Sequence, residues 1–151
     1  MKKTILGFAL ILALMVGCSS NETSGKGKGE IIEVNEIEVK ELMAKSEPTF
    51  LYVSSPFESD KEKDSTIKLD ISNTIKKEKI DVYDFNLAKV TTVDPFTTSV
   101  SEFNVKNNTH SLAFYQDSEF KEEIDLTDVE NADVPKTIDE FIKTMKSRYL
   151  E

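Results

Sequence analysis

Glycine is confined to one end of this 151-residue chain: all five glycines lie within the first 29 residues. Residues 30–151 must therefore fold without the one residue that adopts positive φ freely and lets backbone approach a ligand closely. Phosphate-cradling loops, dinucleotide-binding turns and nucleophile elbows all require glycine at such points. The sequence thus excludes these sites from the part of the protein that can hold a core.

The first 17 residues have the plan of a secretory signal peptide. Lys2 and Lys3 precede an apolar stretch at residues 5–16, which is too short to cross a bilayer as a helix. The alternative, a buried N-terminal helix, is disfavoured by the polar segment that follows. Residues 14–18, LMVGC, resemble the lipobox of bacterial lipoproteins, with methionine where leucine is usual. This resemblance implies cleavage before Cys18 and lipidation of its sulfur, with palmitate among the acyl groups.

We expect three parts in the protein: a signal peptide at 1–17, a lipidated cysteine with a flexible tether at 18–29, and one domain at 30–151. Residues 19–29, SSNETSGKGKG, are too polar to bury apolar surface. The expected location is the outer face of the bacterial cytoplasmic membrane, through the lipid anchor. The lysine- and isoleucine-rich composition suits a Gram-positive bacterium of low GC content.

The rare residue types exclude further chemistry. Cys18 and His110 are the single cysteine and histidine of the protein. An intrachain disulfide, a Cys/His zinc site and a dithiol redox pair are therefore absent from this sequence. The net charge of −9 makes nucleic acid a poor partner. No motif for a cofactor is present.

The remaining sequence alternates between strand-like and helix-like patterns, which favours an α/β domain with one sheet. The predicted order is β-α-β-α-β-α-β-β-α, with strands at residues 31–34, 49–53, 80–87, 111–115 and 119–124, and helices at 35–45, 57–79, 95–103 and 137–149. The strand at 49–53 is apolar throughout, so we expect burial on both faces. In the first helix Ile37 is expected to face inward, and Thr137 is expected to open a capping box. In the last hairpin Asp117 must accept positive φ unless the loop is longer.

Three segments resemble bacterial thioredoxin-like proteins in sequence and order. They are PTFLYVSSP at 48–56, VYDFNL at 82–87 and THSLAFY at 109–115. The resemblance covers about residues 31–150 and implies a thioredoxin-like three-layer sandwich around a mixed central sheet.

The sequence departs from that family at its redox site. Glu58 and Lys61 align with the two cysteines, and His110 aligns with the cis-proline. Thiol exchange requires a reactive cysteine and a resolving one, so we expect no redox activity. A trans bond is expected before His110 because a non-proline cis bond costs about 2.5 to 4 kcal/mol. The resemblance implies a former active-site groove at Pro56, Phe57, Glu58, Lys61 and His110.

Two functions remain open for this groove. The first is binding: a redox-inactive, envelope-associated lipoprotein that holds an exported protein or a cell-wall (peptidoglycan) partner and is not an enzyme. The second is an extracytoplasmic enzyme that uses His110 with Glu58 or Asp60 as an acid/base pair. A structural alternative for the helix start is a capping box formed by Ser55 and Glu58, with Pro56 at the first helical position.

An acidic cluster near the C-terminal end is a weaker candidate for function. It comprises Asp117, Glu119, Glu122, Glu123, Asp125, Asp128, Glu130 and Asp133. Calcium binds oxygen-rich loops, but these residues alternate in direction and lack the glycine of an EF-hand turn. We therefore expect a solvated acidic surface and no metal site.

Overall fold

The computed structural model describes residues 27–151, so the predicted signal peptide, Cys18 and tether residues 18–26 lie outside the described residues. Five strands form one sheet in the spatial order β1-β3-β2-β4-β5. The strands are Ile31–Val34 (β1), Thr49–Ser54 (β2), Val82–Asn86 (β3), Ser111–Gln116 (β4) and Glu119–Asp125 (β5), and the α-helices are Glu36–Met43 (α1), Lys61–Glu78 (α2) and Val134–Tyr149 (α3).

The sheet is mixed. Strands β1, β3 and β2 are parallel, β4 runs antiparallel to β2, and β5 runs antiparallel to β4. Every residue of the central strand β2 is buried, which confirms the expectation drawn from its continuous apolar sequence. The prediction of an α/β, thioredoxin-like fold is confirmed by this strand order and by the helices that cover both faces.

Each face of the sheet has its own apolar core. On one face, α2 and α3 pack against β2 and β4, and the Phe50 and Phe114 rings lie 4.9 Å apart. The isoleucines that the sequence places at four-residue spacing on α2 are all in this core. On the other face, α1 and the segment after β3 cover the sheet, with the Phe85 and Phe103 rings 5.1 Å apart. The sheet therefore separates α2 from the segment that follows β3.

Two helix predictions for this second face of the sheet are wrong in detail. Residues 95–103 form turns and a 3-10 helix at Val100–Phe103 instead of an α-helix, and Asn104 ends it in the left-handed region at φ 63°. Only Phe103 of the predicted apolar face is deeply buried, so packing does not support a longer helix. In α1, Ile37 is exposed because Val39, Leu42 and Met43 form the buried face, and a residue two positions before Val39 lies on the opposite side of the helix.

Helix α3 begins at Val134, three residues before the predicted capping box. Pro135 lies in its first turn, where a missing backbone N–H costs nothing. The Thr137 hydroxyl donates back to the Asp133 carbonyl within the helix, at 3.0 Å, so Thr137 is not a cap. The position of Pro135 therefore indicates the start of α3 more accurately than the capping-box pattern at Thr137 does.

The β4–β5 hairpin has a two-residue turn without glycine. Asp117 and Ser118 adopt φ 57° and 61°, which confirms that Asp117 accepts positive φ. The backbone N–H groups of these residues donate to the carbonyls of Ser46 and Lys45 at the end of α1. These hydrogen bonds offset the conformational cost of a left-handed turn made by non-glycine residues.

The last residues of the predicted tether pack against the domain. One carboxylate oxygen of Asp81 accepts hydrogen bonds from the backbone N–H groups of Lys28, Gly29 and Glu30, at 2.8 to 3.0 Å. Gly29 has φ 82°, and a Cβ at this position would lie 2.8 Å from the Lys76 Cα. The folded unit therefore includes Gly27 to Gly29 as well as residues 30–151.

Candidate functional site

A cavity of about 270 Å³ lies at the carboxyl ends of the parallel strands β2 and β3. After β2 the backbone continues into α2 on one face of the sheet, whereas after β3 it continues over the opposite face. Such a divergence creates a crevice between neighbouring parallel strands, which is where open α/β sheets bind their ligands. The cavity is lined by Ser54, Ser55, Pro56, Phe57, Glu58, Lys61, Asp64, Ser65, Lys68, Asn86, Ala88 and Lys89.

Four of the five predicted groove residues line this cavity: Pro56, Phe57, Glu58 and Lys61. The fifth, His110, is buried on the loop before β4 and is not part of the lining. Glu58 and Lys61 form an exposed ion pair at 3.1 Å on the rim. The structure therefore gathers the helix-start residues at one cavity and places the histidine beside them, inside the protein.

The predicted capping box at the helix start does not form. A 3-10 helix at Glu58–Asp60 leads into α2, and its N-cap residue, Phe57, makes no side-chain capping hydrogen bond. The Ser55 hydroxyl instead accepts from the Phe57 N–H at 3.2 Å and donates to Asp60 at 2.6 Å. Since Glu58 pairs with Lys61, its carboxylate is not used to satisfy the backbone.

An exposed aromatic pair flanks the cavity. The Phe57 and Phe96 rings lie 5.4 Å apart, and the two residues are 53% and 59% exposed. Phe57 comes from the β2–α2 connection and Phe96 from the long segment after β3. Two contacting phenylalanines left in water form an apolar surface of the kind that anchors a partner.

The inner wall of the cavity holds a charged pair, which was not predicted from the sequence. Lys68 Nζ lies 3.0 Å from a carboxylate oxygen of Asp84, whose side chain is 3% exposed. The other carboxylate oxygen of Asp84 accepts from the Ser54 hydroxyl at 2.6 Å. The lysine side chain is 27% exposed, so its head lies between the buried aspartate and the cavity.

His110 adopts a left-handed backbone conformation at φ 56° with a trans peptide bond before it, as expected. Its N–H donates to the Val53 carbonyl at 2.9 Å, and its carbonyl accepts from the Leu126 N–H at 3.0 Å. These two bonds fix the loop between the ends of β2 and β5. The imidazole Nε2 is buried and has no hydrogen-bond partner among residues 27–151.

Two carboxylates face this imidazole. His110 Nε2 lies 3.6 Å from Asp64 and 3.8 Å from Asp60. Asp64 also accepts from the Tyr52 hydroxyl at 2.6 Å and from the Ser55 N–H at 3.0 Å. The predicted partner Asp60 is therefore close to His110, whereas Glu58 is turned away toward Lys61. Asp64 was not predicted.

The electrostatics follow from these contacts. The hydrogen bond from the Ser55 hydroxyl is the main reason that the pKa of Asp60 is lowered, and the nearby His110 adds to it. Burial, followed by the hydrogen bond to Asp64, raises the pKa of Tyr52 far above its usual value. Asp60 is therefore ionised and Tyr52 is a neutral donor at neutral pH. This arrangement holds the two aspartates next to the imidazole.

Within residues 27–151, no group of three or more His, Cys, Asp or Glu side chains is arranged to hold a metal ion. The same residues include no helix that is long and apolar enough to cross a membrane.

Solved structures that resemble this protein include three of low sequence identity. Thioredoxin O2 from Arabidopsis thaliana, in the oxidised state, is 15% identical; the match covers 83% of this protein and 99% of that one, with a TM-score of 0.46. Trxlp from Edwardsiella tarda is 9% identical (72% and 97% covered, TM-score 0.43), and a designed protein is 14% identical (75% and 93% covered, TM-score 0.44). No family model and no curated protein matches the sequence. The fold assignment therefore depends on the strand order itself.

Proposed function

We propose that this protein is a lipid-anchored extracytoplasmic lipoprotein whose redox-inactive domain binds an extended segment of an exported partner protein. The binding site is the cavity at the ends of β2 and β3, with the Phe57–Phe96 pair at its edge. The observation that carries this proposal is the position of an exposed aromatic pair at the crevice where an α/β sheet binds ligands.

The redox-inactive part of the proposal is supported by composition. The sequence has one cysteine, Cys18, outside the domain, and thiol–disulfide exchange needs a thiolate at the site. The rim positions that align with the redox cysteines hold Glu58 and Lys61, which pair with each other. We expect the purified protein to reduce insulin no faster than dithiothreitol alone. A clear acceleration would contradict this part.

The binding part is tested with segments of exported proteins. An array of such peptides is probed with the wild-type domain, with Phe57→Ala, and with the control Ile37→Ala, which removes another exposed apolar side chain, from α1. Phe57→Ala is expected to reduce binding at least 10-fold because aromatic anchors dominate interfaces. Ile37→Ala should bind as the wild type does. Peptide binding that survives Phe57→Ala unchanged contradicts the proposed site.

The anchor is tested separately. Cys18→Ser should abolish incorporation of labelled palmitate. Two or more acyl groups hold a protein stably on a membrane, whereas one does not. A Cys18→Ser variant that still incorporates labelled palmitate contradicts lipid anchoring. The same cells also report on a cell-wall role, since peptidoglycan association would retain the variant in the wall fraction.

A second candidate function is an acid/base enzyme, favoured by the approach of His110 Nε2 to Asp60 and Asp64. The imidazole is 9% exposed, so a substrate would have to displace the helix start to reach it. The test is a screen of chromogenic esters, phosphates and glycosides with the wild type and His110→Asn. Asparagine accepts positive φ, so the variant keeps the loop conformation. Turnover that His110→Asn abolishes supports the enzyme; absence of turnover, or turnover unaffected by the variant, rejects it.

A further inference from the structure

We propose that the cavity selects peptides in which a carboxylate lies next to a large apolar side chain. Lys68 binds the carboxylate, and the Phe57–Phe96 pair packs against the apolar group. This inference rests on the proposed peptide-binding function and names its ligand class.

Lys68 has hydrogen-bonding capacity that the protein does not use. An ammonium group has three N–H donors. Among the described residues, Lys68 Nζ contacts Asp84 at 3.0 Å and Ser54 at a long 3.4 Å. At least one donor is therefore without an acceptor, on a side chain that lines the cavity and is partly exposed. A carboxylate entering the cavity would accept from this donor.

The wall of the cavity is rich in lysine. Lys61 and Lys89 join Lys68 there, although the protein as a whole has a net charge of −9. Lys61 and Lys89 each pair with an exposed glutamate, and such exposed pairs contribute little to stability. These two lysines can therefore turn toward an incoming anion at little cost.

Two acidic residues line the same cavity and would repel a carboxylate if they were unpaired. Asp64 accepts from the Tyr52 hydroxyl and the Ser55 N–H, which face away from solvent. Glu58 is paired with Lys61 on the rim. Glu58 is neutralised by its partner, and the two Asp64 oxygens accept from buried donors, so Lys68 is the lining group that offers an incoming carboxylate an unused donor.

The exposed rings of Phe57 and Phe96 indicate that the occupant is a peptide. A small anion alone would leave both rings in water. A peptide with neighbouring acidic and apolar groups covers the rings with its apolar group and reaches Lys68 with its carboxylate at the same time. The hydrogen bond between this carboxylate and the ammonium group is charge-assisted, and such bonds are stronger than those between neutral groups. A glutamate side chain and a free peptide terminus present the same carboxylate chemistry, so the probes distinguish them.

The experiment measures affinity by fluorescence anisotropy with labelled, C-terminally amidated hexapeptides of sequence Ser-Gly-Glu-Phe-Gly-Ser. A second probe replaces Glu by Gln, a third replaces Phe by Ala, and a fourth, Ser-Gly-Gly-Phe, ends in a free carboxylate and is compared with its amide. The protein variants are Lys68→Gln, which removes the charge but keeps a polar side chain with N–H donors, Phe57→Ala at an exposed position, and the control Lys77→Gln, an exposed lysine on the same helix outside the cavity.

We expect a carboxylate probe, the Glu hexapeptide or the free C-terminus, to bind wild type about 10-fold or more tightly than its neutral counterpart. Lys68→Gln should bring that ratio close to one, and Lys77→Gln should leave it unchanged. Phe57→Ala should weaken the Glu-Phe probe but not the Glu-Ala probe. Peptides that bind with no preference for a carboxylate would overturn this inference while leaving peptide binding intact. A preference that persists in Lys68→Gln would also overturn it.

Discussion

Replacement of Lys68 by methionine tests whether the inner wall of the cavity is held by a buried ion pair. The variant keeps the apolar stem but removes the ammonium group, so within the described part of the chain the Asp84 carboxylate keeps only the Ser54 hydroxyl as a partner. The aspartate side chain is almost fully buried, so water cannot replace the lost charge. Breaking a buried pair in this way costs about 3 to 5 kcal/mol, a large fraction of the roughly 5 to 15 kcal/mol that stabilises a typical domain.

The converse change should cost less. In Asp84→Leu the ammonium of Lys68, on a side chain 27% exposed, can turn toward the water of the cavity. Leucine at this strand position also packs against the core that surrounds α2. We therefore expect a loss of about 1 kcal/mol, and the double variant Lys68→Met/Asp84→Leu should recover most of the stability lost by Lys68→Met.

Urea denaturation followed by circular dichroism measures these free energies of unfolding. The midpoints should shift while the slopes stay constant, because the surface exposed on unfolding hardly changes. If Lys68→Met and Asp84→Leu are equally destabilising, this contradicts the expectation that the buried aspartate depends on the lysine more than the lysine depends on the aspartate. If Lys68→Met costs less than about 1 kcal/mol, the pair does not hold the wall of the cavity.

Three other changes test the surroundings of the site. Tyr52→Phe removes the buried donor to Asp64 and should cost about 1.5 to 3 kcal/mol in a urea titration; a loss below about 0.5 kcal/mol would contradict the contact. The pKa of Asp60 is lowered in the folded state, so its stabilising effect is present above its unfolded value near 3.8 and is lost as pH falls through the folded pKa. Ser55→Ala should therefore reduce the difference in stability between pH 7 and pH 3, and an unchanged difference would contradict this cause. Gly29→Ala should destabilise the domain by about 2 kcal/mol, because its φ is positive and the new Cβ would meet the backbone of α2; a variant with an unchanged midpoint would refute the packing of this segment.

The sequence predicted the sheet well because strand signals are local. Apolar and β-branched residues located the first four strands, and the turn at 116–118 located the fifth, all within about two residues of their observed bounds. Helices were less predictable where a short segment depends on packing. Residues 95–103 have the apolar spacing of a helix, but most of their side chains have no core to enter. For α3, the position of Pro135 marks the observed start of the helix, whereas the capping-box pattern at Thr137 predicts a start three residues too late.

The sequence predicted the residues on the rim of the candidate site but not the charged pair on its inner wall. Phe57 and Lys61 follow β2 directly, so their position at the strand end could be inferred from their order in the sequence. Lys68 and Asp84 are 16 residues apart and meet only through the packing of α2 on β3, which a single sequence does not specify. The signal that could have found Asp84 is its place between two aromatic residues in a strand, where a buried carboxylate requires a partner.

The most direct test of the proposed binding site is an NMR titration of the isotope-labelled domain with the Glu-Phe hexapeptide. We expect the backbone amide signals that move to cluster at the ends of β2 and β3, in residues 54–61 and 86–89, together with Phe96. The Lys68 ammonium signal should move with the Glu probe and stay in place with the Gln probe. Shifts confined to the other end of the sheet, near the β4–β5 turn, would contradict the cavity as the binding site.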